Sequence, residues 1–83
     1  MEADRHIDEA ILSLLKERGP GKSACPSEVA RRLQPEGWRG CMPAVRERAA
    51  ALAGAGKLRI TRGDKTLEPE ALSGGPVRLR LPG

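Results

Sequence analysis

PSEVARRL (Pro26–Leu33), a short turn closing on Gly37-Trp38-Arg39, MPAVRERAAAL (Met42–Leu52) and KLRITR (Lys57–Arg62) follow one another with almost no spacer. That order spells helix, tight turn, second helix, glycine-containing stop and β-ribbon, the pattern of a winged helix-turn-helix. Pro26 suits the first position of a helix, where its missing N–H would have had no partner anyway. The inward residues of that helix are Val29, Ala30 and Leu33, with Glu28 near the positive N-terminus and Arg31 and Arg32 near the C-terminus. Pro35 stops it. Pro35-Glu36-Gly37 then makes the turn, glycine supplying the left-handed conformation that a tight reversal needs.

The next helix is predicted from about Arg39 to Ala53. At the 3.6-residue period Trp38, Met42, Val45, Ala49 and Leu52 share one arc and pack inward, while Arg39, Pro43, Glu47, Ala50 and Ala51 lie nearly opposite. That outer face is small and mixed in charge, and Arg46 and Arg48 flank the inward stripe on opposite sides. A fully buried Trp38 implies that Trp38→Ala costs roughly 3–5 kcal/mol, enough to unfold so small a domain.

Working outward, Ile7, Ala10, Ile11, Leu14 and Leu15 fall on one face of an N-terminal helix from Asp4 to Glu17, with Asp4 as its N-cap and Gly19-Pro20-Gly21 as its stop. Gly54-Ala55-Gly56 ends the third helix. Lys57 to Arg62 alternates as a half-buried strand, with Leu58 and Ile60 inward and Arg59 and Thr61 outward, and Gly63-Asp64-Lys65 forms a basic hairpin tip. The stretch 68–76 is rich in Gly and Pro and reads as a loop, with one helical turn at Glu70 to Leu72. Val77, Leu79 and Leu81 alternate with Arg78 and Arg80 as a closing strand, and Lys22 to Cys25 offers a short third strand. The expected fold class is therefore α+β, a single winged helix-turn-helix domain over 1–83 with a three-helix core and a small antiparallel sheet.

Eighty-three residues, 39% hydrophobic and 31% charged, make one small globular domain with no chain to spare for a catalytic one. No apolar run approaches the roughly 20 residues needed to span a bilayer. MEADRHIDEA does not resemble a secretory signal, so a cytoplasmic protein is the expectation. The net charge of +4 is unevenly spread: residues 1–20 carry −2, residues 21–65 carry +6 and residues 66–83 are neutral. Such asymmetry suits an anionic partner, because Lys and Arg that neutralise phosphates release counterions, although a merely solvated basic face has the same composition. Cys25, Cys41 and the single His6 lack paired metal-ligand spacing, so no metal or cofactor is expected and the cysteines read as buried or half-buried free thiols. Neither a Ser/His/Asp nor a Cys/His constellation is present, which argues against an enzyme. With no Tyr or Phe and one Trp, the chain also lacks stacking platforms for single-stranded RNA.

Taken together, PSEVARRL, WRGCMPAVRERAAAL, GKLRITRG and GGPVRLRL resemble a family of small bacterial proteins catalogued as a domain of unknown function, number 3253, over about Ile11 to Leu81. The resemblance implies a winged-helix architecture and brings no substrate, cofactor or catalytic residue. Two functions fit the residues. One is binding of double-stranded DNA, with Arg39 and Arg46 near the third helix and Arg59, Arg62 and Lys65 at the wing. The other is a protein-interaction or scaffolding role for the alanine face of the third helix, although alanines there also serve helix propensity alone.

Overall fold

The computed structural model describes residues 2–63, 65–67 and 76–82. Helix α1 runs Glu2–Arg18, strand β1 Ser23–Ala24, helix α2 Pro26–Leu33 and helix α3 Met42–Gly54, followed by strands β2 Arg59–Arg62, β3 Lys65–Thr66 and β4 Arg78–Arg80. The strands form one antiparallel sheet in the order β1-β4-β2-β3. Three helices covering one face of a small sheet is an α+β fold consistent with a winged-helix-like arrangement. Among the described residues no helix is long and apolar enough to cross a membrane.

Helix α2 matches its expected bounds because proline punctuates both sides: Pro26 opens it and Pro35 follows the cap residue Gln34. The Glu28 carboxylate turns back to accept the Cys25 backbone N–H at 2.8 Å, closing the first turn. The reversal after α2 passes through Gly37 at φ +77°, where a Cβ would also meet the Gln34 side chain at 3.2 Å.

The third helix differs from its expected continuous form. Trp38–Cys41 is a turn of 3₁₀ helix, and the α-helix starts only at Met42. Pro43 is the cause: it has no N–H to bond the Arg39 carbonyl, and Met42 N–H takes that oxygen instead with the tighter 3₁₀ spacing. At the other end Gly56, at φ +76°, closes a Schellman motif in which Lys57 N–H reaches the Leu52 carbonyl at 2.9 Å and Gly56 N–H the Ala53 carbonyl at 3.0 Å. Lys57 is thereby taken up by the helix cap, and the strand begins at Arg59 rather than Lys57.

Asp4 is not an N-cap. Glu and Ala at positions 2 and 3 are good helix formers and α1 runs back through them, leaving Asp4 within the helix, 3.8 Å from Arg48 on α3. The core joins Ile11 and Leu15 of α1, Val29 and Ala30 of α2, Val45 and Ala49 of α3, and Ala24, Ile60 and Leu79 from the inner face of the sheet. In the sheet Leu79 stands opposite both Ala24 and Ile60, which makes β4 the strand that ties β1 to β2.

Trp38 is only half-buried, packing on the edge of this core rather than inside it. Thr61 departs in the other direction: it lies on the outer face as alternation requires, yet it is buried. Arg78 and Thr66 stand opposite it on either side, and the Arg59 side chain reaches across to donate to Thr66 Oγ1 at 2.8 Å, covering the threonine. The closing strand is shorter than its hydrophobic alternation, Arg78–Arg80, with Val77 buried before it and Leu81 half-buried after it. Lys65 belongs to β3 instead of the tip, while Asp64 and the helical turn expected at Glu70 to Leu72 lie outside the described residues. Cys25 and Cys41 are free thiols, both half-buried.

Candidate nucleic-acid interface

The basic side chains fall into two groups according to whether a carboxylate holds them. Three arginines are held. Arg18 at the end of α1 grips Glu28 of α2 with two hydrogen bonds of 3.0 and 3.2 Å. Arg32 of α2 grips Glu17 of α1 at 2.8 and 2.9 Å. Arg48 of α3 grips Asp8 of α1 with two bonds of 2.9 Å. All three are fork-to-fork pairs, the geometry in which guanidinium and carboxylate each satisfy two partners. They tie α1 to both helices of the helix-turn-helix. The hydrogen bonds from Arg32 hold the Glu17 carboxyl below the ordinary carboxylate range, those from Arg18 do the same for Glu28, and the pairing raises all three guanidinium pKa values. Arg48 therefore sits on the α1 side of α3 and is not available to a groove.

Among the described residues, four of the basic side chains that no carboxylate holds lie at the turn and the hairpin. Arg31, Arg39, Arg62 and Lys65 are exposed, and among the described residues none of them meets a carboxylate. Arg39, carried by the 3₁₀ turn, lies over the Trp38 ring with its guanidinium carbon 4.8 Å from the ring centroid. Arg31, from the last turn of α2, lies over the same ring at 4.5 Å. Each such stack is worth about 0.5–1 kcal/mol at an exposed site and restricts a side chain that would otherwise be mobile. Arg62 and Lys65 face each other across β2 and β3 beside the hairpin turn, and Arg62 Nε donates to the Pro76 carbonyl at 3.2 Å.

Of the five residues expected to bind nucleic acid, Arg62 and Lys65 form one cluster and Arg39 belongs to another. Arg46 is half-buried on α3 and holds an interaction of its own. Arg59 is separated from the hairpin cluster by strand alternation: it lies on the outer face of the sheet, opposite Arg80 and bonded to Thr66, whereas Arg62 and Lys65 lie on the other side. Arg59, Arg78 and Arg80 make a basic outer sheet face of their own, with Arg78 donating to Ser23 Oγ at 3.0 Å and to Cys25 Sγ at 2.7 Å. Sequence reasoning misses Arg31 and the exposed face of Trp38. Their meeting depends on the turn at Gly37, and periodicity within either helix contains no signal for it.

The solvent side of α3 exposes Pro43, Glu47 and Ala51 as expected, whereas Ala50 is half-buried. It offers one carboxylate and little else with which to read base edges.

Among curated proteins no relative matches the chain. Residues 4–82 match the family model described as Protein of unknown function (DUF3253), and the chain belongs to that family.

Proposed function

We propose that the domain is a non-catalytic nucleic-acid-binding module that engages the backbone of double-stranded DNA with the 3₁₀ turn, the adjoining part of α3 and the β2–β3 hairpin. The observation that carries this reading is that three arginines are neutralised between the helices, while Arg31, Arg39 and Arg62 at the turn and the hairpin are exposed and face no carboxylate among the described residues. A winged-helix-like arrangement supports it, since turn, helix and hairpin are the parts such modules bring to a duplex. With Glu47 and Ala51 outward, recognition of phosphates dominates and discrimination between base sequences is weak.

Fluorescence anisotropy of a labelled duplex of random sequence tests this at low and near-physiological salt. Binding weakens steeply with salt, and the double variant Arg62→Ala/Lys65→Ala lowers the log–log salt slope by about 1 for each phosphate that is no longer neutralised. Absence of binding at low salt removes this reading. The half-buried Ala50 and Ala53 and the exposed Ala51 favour a second, in which α3 packs on a protein partner, and sedimentation of the isolated domain with candidate partners then becomes the relevant measurement.

A further inference from the structure

Arg31 and Arg39 are separated by the whole inter-helical turn, yet both guanidinium carbons come to the same indole, at 4.5 and 4.8 Å from its centroid. Two like charges brought to one ring repel each other. The aromatic face attracts each but leaves the in-plane N–H donors unused, and among the described residues no carboxylate approaches either one. The arginines that bridge the three α-helices, Arg18, Arg32 and Arg48, end on carboxylates with two hydrogen bonds each. The Trp38 stack is thus a place where the fold orders two guanidiniums and supplies no anion.

Resting on the nucleic-acid reading above, we infer that Arg31, Trp38 and Arg39 form a phosphate clamp that grips the backbone of one DNA strand at the turn between α2 and α3. Trp38 positions the two arginines; the arginines bind. A cation over a ring face leaves the N–H groups of its guanidinium edge free, and at these two exposed arginines they can match two oxygens of a phosphate. Because the rotamers are already restricted, less side-chain entropy is lost on binding than for a free surface arginine. The anion also relieves the repulsion between the two cations.

Trp38 is the only aromatic residue in the chain, so its emission reports on the clamp without interference. A duplex of random sequence carrying a 5′ label is titrated with protein while anisotropy and Trp38 emission are followed together, at low salt and with inorganic phosphate as a separate probe. Trp38 emission changes in parallel with anisotropy. Arg31→Gln/Arg39→Gln, at two exposed positions, weakens duplex binding at least ~10-fold, reduces the salt slope by about 2, and leaves the thermal melt nearly unchanged. Trp38→Phe keeps the stack and retains affinity within a few-fold, whereas Trp38→Leu behaves like the arginine variants.

Duplex binding by anisotropy with Trp38 emission unchanged, and with the double arginine variant binding as tightly as the wild type, overturns the clamp and leaves the nucleic-acid reading standing. No anisotropy change at low salt overturns both. An emission change saturated by inorganic phosphate but not produced by duplex overturns the assignment to a DNA backbone in favour of a small-anion site.

Discussion

Leu79→Ala is expected to cost about 3–4 kcal/mol and to leave the domain on the edge of unfolding at 37 °C. Leu79 is fully buried at the centre of β4, opposite Ala24 of β1 and Ile60 of β2, and its side chain is part of the core shared with all three helices. Truncation empties apolar volume on the one strand that joins the first and second strands, where the backbone ladder leaves little freedom to collapse into the space. A domain of this length has a total stability of roughly 4–12 kcal/mol, so the cost is a large share of it. At about 4–8 °C per kcal/mol, the melting temperature drops by ~12–30 °C, readable by circular dichroism. A melt shifted by only a few degrees would mean that the inner face of the sheet is not where the core closes. Trp38→Ala makes the contrast. A buried indole predicts the larger penalty there, but Trp38 is half-buried and capped by two arginines, so its truncation costs about 1–2 kcal/mol and the variant remains folded.

The difference between Leu79 and Trp38 shows what kind of information the chain carries in legible form. Elements bounded by proline or glycine are readable because those residues act on their own backbone: Pro26 and Pro35 bound α2, and Gly56 ends α3. Inward stripes are readable at Val29, Val45 and Ile60 because one period decides them. Where periodicity misleads, residues elsewhere in the chain decide the outcome. Trp38 falls on the inward arc by spacing, but Pro43 converts its turn to 3₁₀ and displaces it to the rim. Thr61 alternates outward and is nonetheless buried, with Arg78 of β4 opposite it and Arg59 of its own strand bonded across to Thr66.

The candidate site is less legible for the same reason. Charge distribution marks residues 21–65 as the basic segment, but whether an arginine is available depends on partners 10, 15 and 40 residues away in the pairs Arg18–Glu28, Arg32–Glu17 and Arg48–Asp8. In sequence Arg31 is a helix-terminal charge, and only the turn brings it to Trp38. Arg59 lies near Arg62 along the chain and so reads as part of the wing, although its position in β2 sets it back from the tip and alternation turns it to the opposite face.

Glu28 shows how one of these long-range pairs becomes measurable. Its carboxylate accepts the Cys25 N–H at the start of α2 and both donors of Arg18 at the end of α1, so the same anion caps one helix and ties it to another. Glu28→Gln keeps the shape and one acceptor oxygen but removes the charge. With the side chain about 34% exposed, solvent screens the ion pair, and the expected destabilisation at pH 7 is roughly 0.5–1.5 kcal/mol, most of it from weakened charge-assisted hydrogen bonds. The pH dependence identifies the source. Hydrogen bonds from Arg18 first, and that from the Cys25 backbone, hold the Glu28 carboxyl below its ordinary 4.5 in the folded protein. A carboxyl depressed on folding stabilises above its unfolded pKa, and that contribution disappears as pH falls below 4.5 and through the folded value. The wild type therefore loses stability on acidification faster than Glu28→Gln, and the gap between their urea midpoints closes between pH 5 and about pH 3. Other carboxylates titrate in both proteins and cancel in the difference. A gap that stays constant across that range would show that residue 28 contributes through packing alone, and that the bidentate bond to Arg18 adds nothing in solution.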